Sequence, residues 1–510
     1  MKTSRPVQQR LELAIYDGHH DACVAIADEN RVLISLEAER ILRRKHAGFA
    51  NHDEFEQVVA AALKAIGGSM ASVAVVYLSA WRHLFADATS LTVLGSDYPV
   101  IEIRHHAAHV ASALPILGGE PGFVLCADGG SEDGFSRLYQ VNEGSFELVA
   151  DFDDRICSGL FYGTIAQLVI DPDFGRAHNE APGKLMALSA LGSYRPDLAD
   201  KIVDRQSEIC RHYPGGVDHL RRGFSLSGDY VSPQNDRTRC DLARTAQDVW
   251  IADLCDALAP YGDIELPIVL TGGCALNVVA NSRVAESGMF RDVRVPPVAN
   301  DSGQALGALL SRSPQLECVY PYLGRGRMLS APIESAELLA EDLAAGLVVG
   351  WYEGRSEAGP RALGHRSYLA SPVDPGLKLR LSEWVKRRES YRPLAPIVRE
   401  VDASRWFTGP ARSPFMTFGY FVRPSLADMI PGALHVDGSA RVQTLERDMS
   451  PAIYETLGQM AGSGLPPVIL NTSMNGPGEP LIDTPAEAVD CCQRNGADVL
   501  YINGRRRGFH

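Results

Sequence analysis

Nothing in this 510-residue sequence runs apolar for the ~18 residues that a membrane-crossing helix needs, so no membrane partner is expected. No C-x-x-C pair occurs among the ten cysteines, which removes the usual sign of a zinc ribbon or a dithiol redox centre. Reduced, mostly buried thiols in a cytoplasmic protein are the expectation. A basic surplus is also missing: the formal net charge is −14. Proteins that grip nucleic acid through its phosphates carry a basic balance or a dense basic stripe, so a nucleic-acid partner is not expected, although a local basic pocket remains compatible with this charge. The opening MKTSRPVQQRLELAIYDG has no apolar core of signal-peptide length, and nothing in it argues for export.

What is present is ordinary soluble material, 45% hydrophobic and 22% charged, in a chain long enough for two or three domains. The stretch LELAIYDGHHDACVAIADENRVLISLEAE reads as a β-meander, and GFVLCADGGSEDGFSRLYQVNEGSFELVADF repeats its plan, with an acidic turn at the first bend each time. HHAAHVASALPIL, CDLARTAQDVWIADLCDALAPYG and SGQALGALLS have helical spacing, and PIVLTGGCALNVVANSRVAES reads as strand, Gly-Gly turn and helix. Alternating strands and helices give an α/β architecture. A Ser, Pro, Gly and Arg-rich stretch over 312–332 suggests a boundary, with domains at 1–325 and 326–510. After it, SAELLAEDLAAG and GLKLRLSEWVKRRE read as helices, PPVILNTS as a strand, PAEAVDCCQRNG as a helix and ADVLYING as the final strand.

Candidate chemistry in the first part centres on His105 and His109, whose i, i+4 spacing puts both rings on one helix face while His106 points elsewhere. Asp128 and Asp301 sit at glycine-rich bends where strands end, the usual ligand position in α/β folds. Two histidines with carboxylates suit iron or zinc; each aspartate alone also reads as a cap or turn residue. Gly129 and Gly130, and Gly272 and Gly273 before the helix of Asn277, let backbone N–H groups approach an anion, with Lys184 as a further phosphate partner. His20, in the turn DGHHDA, is placed to take a proton from an attacking hydroxyl, and His19 is its alternative.

In the second part, Arg355, Arg361 and Arg366 lie among glycines and a proline, and WVKRRESYRPLAP adds Lys386, Arg387, Arg388 and Arg392. Planar guanidinium groups in such loops suggest an anion pocket; a solvated or interdomain basic face is the alternative. Asn471, Ser473 and Asn475 at a strand end suit a small planar polar group, whereas Asp483 and Thr484 are expected to cap the next helix.

Taken in order, HHAAHVASA, CADGGSEDG, APGKLMALSALG, GGCALNVVANSRV, NDSGQALGA, GPRALGHRS, VKRRESYRPLAP and NTSMNGPGEP resemble the O-carbamoyltransferases of antibiotic and nodulation-factor biosynthesis. The resemblance implies an amino-terminal, duplicated actin-like (ASKHA) domain and a carboxyl-terminal YrdC-like α/β domain. It implies ATP and carbamoyl phosphate as reactants, a carbamoyl-adenylate intermediate and a hydroxylated small-molecule acceptor. It further implies a divalent metal, foremost Fe(II), with Zn, Mn or Mg as other choices. By position, His105, His109, Asp128 and Asp301 become the metal set and His20 the catalytic histidine. Arg361, Arg366, Lys386, Arg392, Ser473 and Asn475 become the carbamoyl-phosphate and adenylate pocket. Gly129, Gly130, Lys184, Gly272, Gly273 and Asn277 become the nucleotide region. The turn DGGSED departs from the DGxGE pattern of such relatives, which leaves Gly130 and Glu132 without an assigned role. Competing readings are a tRNA threonylcarbamoyl-type transferase, disfavoured by the acidic charge, and an actin-like small-molecule kinase, which leaves the arginine-rich loops unexplained.

Overall fold

Residues 10–81, 83–170, 178–211, 217–226, 232–385, 387, 389 and 391–509 are described by the structure, a computed structural model. Strands β1 (Leu11–Asp17), β2 (Cys23–Ala27) and β3 (Val32–Glu37) form an antiparallel meander. β4 (Val73–Ala80) adds parallel on the far side of β1; β5 (Ser90–Val93) and β6 (Ser96–Glu102) complete the sheet, with β6 parallel to β4. The second sheet repeats the plan. β7 (Gly122–Ser131), β8 (Gly134–Asn142) and β9 (Ser145–Asp151) form the meander, and β10 (Ile268–Thr271) and β11 (Val293–Arg294) add in parallel beyond β7. The orders β3-β2-β1-β4-β6-β5 and β11-β10-β7-β8-β9 are therefore one topology used twice.

Between the sheets lie two helices. Gln304–Arg312 packs on β1, β2 and β4, His105–Leu117 packs on β7 and β10, and the two helices pack on each other. Their facing surfaces are small: Ala108, Ala111, Ala305 and Ala308 are fully buried. Gly307 is required there, because a Cβ at that position would meet the Ala108 carbonyl oxygen at 1.8 Å. The long helix Arg237–Leu258 starts where the Asp236 side chain accepts the Thr238 and Arg239 N–H groups.

The carboxyl-terminal half builds a seven-stranded mixed sheet whose middle strands are Ile469–Ser473, Arg366–Ala370 and Val349–Tyr352. The expected helix after residue 374 is α-helical only over Pro375–Leu379 and continues as a π-helix over Arg380–Val385. ADVLYING is not the last strand. Asn503 (φ 49°) and Gly504 (φ 81°) turn the chain back into Arg505–Gly508, which pairs antiparallel with Val499–Ile502. That Asn-Gly pair is the sequence sign of a two-residue hairpin. A three-stranded sheet of Phe407–Thr408, Tyr420–Val422 and Ser439–Ala440 leans on the first half: Asn281 and Ser282 side chains donate to the carbonyls of Thr417 and Gly419.

The stretch read as a boundary is stitched to both halves. Val32 and Ser35 N–H groups donate to the carbonyls of Glu317 and Leu323, and Gly324 N–H donates to Ser356. All ten cysteines are free. Among the described residues no helix is long and apolar enough to cross a membrane.

Candidate active site

Four side chains converge where the two central helices begin. His105 Nε2 lies 3.1 Å from Asp128 Oδ2 and 3.5 Å from Asp301 Oδ1. His109 Nε2 lies 3.3 Å from Asp301 Oδ1 and 3.8 Å from Asp128 Oδ2, without the alignment of a hydrogen bond. All four are buried, and one ligand atom from each falls within 4.8 Å of the others. The helix spacing supplies the histidines, Asp128 comes from the end of β7, and Asp301 from the turn before Gln304–Arg312.

Two buried carboxylates and two imidazoles, with the buried Nε2 of His109 unsatisfied, are the donor set and charge of a divalent-cation site. The residues therefore fit a metal. Burial opposes charge on His109, but Asp128 and Asp301 outweigh it and push the ring up to about 9. Burial likewise works against the charged form of Asp128, and its contacts with His105 and His109 still hold it well below the usual carboxylate range.

The surroundings contain residues that sequence reasoning missed. Tyr16, its pKa raised by burial and by Asp301, stays a phenol and donates to Asp301 Oδ2 at 2.5 Å. Asp21 accepts from His46 Nδ1 at 2.8 Å and from Asn300 at 3.3 Å, and lies 3.2 Å from His20 Nδ1. His46 N–H in turn donates to Glu39. Asp21 and His46 both sit at φ 53°, the left-handed region that non-glycine residues avoid and that clusters at functional sites. The signal available was Asp21 itself, adjacent to His20; His46 had none. His20 faces the cluster, 3.9 Å from Asp301 Oδ2, while His19 packs its ring against His83. Burial opposes charge on His20 too, yet Asp21 and Asp301 raise it to about 9.

The two glycine turns meet each other. Gly272 (φ 86°) is so close to β7 that a Cβ would lie 2.2 Å from the Ala127 carbonyl oxygen, and Gly273 N–H donates to Asp128 Oδ1 at 2.9 Å. Gly130 has φ 128°, and Gly129 faces open space. Asn277 is spent locally: it caps its helix by accepting from Ala280 N–H and exchanges hydrogen bonds with Gln247. Glu132 accepts the His105 N–H, and His106 turns away, its N–H bonded to Asp133.

A cavity of about 570 Å³ opens between the halves. Arg361, Arg387, Arg392, Asn471, Ser473 and Asn475 line it from the second half, and Glu39, Arg40 and Lys184 from the first. Burial lowers the Arg361 guanidinium to about 10, and Arg392 adds like-charge repulsion. Two cations held this close prefer an anion between them. Lys184 belongs here rather than at the glycine turns, paired with Glu389 at 2.8 Å. Ser473 donates to Asn475, which donates to the Glu479 carbonyl.

Arg366 corrects the reading made from its loop. It is fully buried off the cavity wall, gives its guanidinium to the carbonyls of Glu353, His365, Gly354 and Arg325, and stacks 3.7 Å over Tyr352. Arg355 likewise donates to the carbonyls of Gly324 and Leu33. Lys386 and Arg388 lie outside the described residues. Thr484 caps its helix in a capping box with Glu487, whereas the Asp483 carboxylate instead accepts from Arg325.

The family model described as carbamoyltransferase C-terminus matches residues 340–506, and that described as carbamoyltransferase N-terminus matches residues 261–310. The 3'-hydroxymethylcephem-O-carbamoyltransferase of Streptomyces clavuligerus is 31% identical over 520 residues, covering 93% of this chain and 94% of that protein. Nodulation protein NolNO of Sinorhizobium fredii is 32% identical over 442 residues, 78% of this chain and 62% of that longer protein. The chain belongs to the carbamoyltransferase family, enzymes that transfer a carbamoyl group. Among solved structures, component A of the Acidaminococcus fermentans (R)-2-hydroxyglutaryl-CoA dehydratase covers 60% of this chain and 99% of its own, at 13% identity and a TM-score of 0.39, a likeness too low to bear on fold or activity.

Proposed function

We propose that this protein is an ATP-dependent O-carbamoyltransferase. In the cavity between the halves water cleaves carbamoyl phosphate to carbamate and inorganic phosphate, and the carbamate oxygen attacks the α-phosphorus of ATP to give carbamoyl-adenylate and pyrophosphate; a hydroxyl of a small-molecule natural product beside His20 then takes the carbamoyl group and releases AMP. In this reading residues 1–325 are an actin-like transfer domain and residues 326–510 a YrdC-like activating domain. The observation that carries it is the Arg361–Arg392 pair in a cavity whose wall residue Glu39 also bonds His46, next to Asp21 and the buried histidine–aspartate cluster.

Carbamoyl phosphate is a poor donor to a neutral alcohol, and adenylation supplies a better leaving group. Arg361 and Arg392 offset the charge that moves between phosphates as the bond breaks. Ser473, Asn475 and Asn471 present short polar groups to the planar carbamoyl end. A divalent cation held by His105, His109, Asp128 and Asp301 would supply Lewis-acid polarisation of the group being transferred. Tyr16 holds Asp301 in place, and Gly273 N–H does the same for Asp128. His20 takes the acceptor's proton. With its pKa near 9, raised by the Asp21 hydrogen bond first and by Asp301 after it, the ring is mostly charged at neutral pH, so His20 acts as a base through its neutral minority form. Enclosure between the halves keeps water from the labile intermediate.

The test separates two partial reactions in the full-length enzyme. His109→Ala is expected to abolish carbamoyl transfer while sparing much of the carbamoyl-phosphate-dependent release of pyrophosphate from ATP. Arg361→Ala is expected to abolish that release. Full activity in both variants, with a competent acceptor, sinks the mechanism.

A further inference from the structure

One short helix of the first half touches both places where the proposed chemistry occurs. It spans Ala38–Leu42, with Glu37 at its start. Glu37 and Arg40 are buried and grip a single residue of the second half by the two peptides that flank it. Glu37 Oε1 accepts the Gly359 N–H at 2.6 Å, and Arg40 Nη2 donates to the Gly359 carbonyl at 3.0 Å. Gly359 has φ 98°, and a Cβ there would lie 2.2 Å from the Pro297 carbonyl oxygen, so the residue is pressed against the first half in a conformation only glycine adopts freely. Pro360 fixes the next φ. The residue after it is Arg361, whose guanidinium has neither a hydrogen bond nor an ion pair among the described residues and lines the cavity.

The grip is costly in itself. Arg40 Nε and Nη1 and Glu37 Oε2 are buried without hydrogen-bond partners, with Arg40 Nε 3.6 Å from Glu37 and 3.5 Å from Glu39. A contact needed only to join two halves could use apolar side chains at lower cost. A charged pair on the two peptides flanking one residue instead fixes direction.

We propose that Glu37 and Arg40 are positioning residues that aim Arg361, across the junction, into the anion-binding part of the cavity. The inference rests on the reading of that cavity as a phosphate site. Glu39 of the same helix bonds the His46 N–H beside Asp21, so the segment that sets Arg361 also borders the surroundings of His20.

The experiment is calorimetric binding of inorganic phosphate to the full-length protein and its variants. Arg361→Ala should weaken binding about tenfold or more. Glu37→Ala and Arg40→Ala should weaken it to a similar extent, and the double variant Glu37→Ala/Arg361→Ala should be no weaker than Arg361→Ala alone, because one effect runs through the other. Glu37→Gln keeps an acceptor for Gly359 N–H and should recover most of the affinity. If the alanine variants do not fold, Arg40→Lys carries the test: it keeps the buried cation, loses the fork, and should weaken phosphate several-fold. Wild-type affinity in folded Glu37→Ala or Arg40→Lys overturns the proposal, as do additive losses in the double variant. A wild-type protein that binds no phosphate overturns both this and the cavity reading. Phosphate binding with these variant effects, but no carbamoyl-phosphate-dependent pyrophosphate release, upholds the positioning role and sinks the proposed reaction alone.

Discussion

Replacing Gly307 with alanine sets two effects of opposite sign against each other. In an isolated helix the change gains about 1 kcal/mol, because alanine loses less backbone freedom than glycine. Here the added Cβ would sit 1.8 Å from the Ala108 carbonyl oxygen of the facing helix. Carbon and oxygen tolerate an approach of about 3.3 Å, so the two helices must part by roughly 1.5 Å. Overpacking of this kind costs about 1–3 kcal/mol, with larger values where the neighbour is backbone and cannot rotate away. The difference is a net loss of up to about 2 kcal/mol, and more where the backbone holds its place.

The larger consequence is local. Ala108 lies between His105 and His109 on one helix, and Asp301 stands at the head of the other, so the separation falls within the candidate metal set. Metal–ligand distances are held to about 0.2 Å, several times less than the required shift. Cation affinity should therefore fall at least tenfold. Urea unfolding of the metal-free protein measures the first effect, and titration of Zn²⁺ against a competing chelator the second. A Gly307→Ala protein that is more stable than the parent and binds Zn²⁺ equally well would refute the packing argument and the link between helix spacing and the cluster.

Two other perturbations have definite signs. His46→Ala removes the Nδ1 contact that braces Asp21, and should lower carbamoyl transfer about tenfold or more while pyrophosphate release continues, with His46→Asn, which retains a donor, recovering part of the rate; equal losses in both partial reactions would contradict it. Glu37 is pushed up to about 7 from 4.5, burial outweighing Arg40. Between those values the folded protein holds a proton that the unfolded chain has released, so stability falls as pH rises through that window, by up to about 3 kcal/mol. Glu37→Gln should flatten that slope in urea melts at pH 5 and pH 8.

Local chemistry in the chain was enough to read several elements. The short apolar runs leading into the acidic turns at Asp17 and Asp128 mark two similar meanders, because strands buried on both faces must be apolar throughout and a turn must follow where the run ends. The i, i+4 histidines converge because a helix has only one pitch. The Asn503-Gly504 hairpin was equally legible in principle, and was missed by ending the last strand too early. Arg366 was not legible. Its neighbours resemble those of Arg361, and only the tertiary path decides which guanidinium meets a cavity and which meets four carbonyls.

Determined by sequence alone, then, were the alternating α/β layers, the paired histidines and the arginine-rich loops, because periodicity and turn chemistry act over a few residues. Tertiary structure decided how the charged groups are spent. It put Lys184 into the cavity that Arg361 also lines, brought His46 to Asp21, and set Glu37 and Arg40 on Gly359, more than three hundred positions along the chain. Such contacts depend on where separate elements cross, and spacing along the chain carries no record of that.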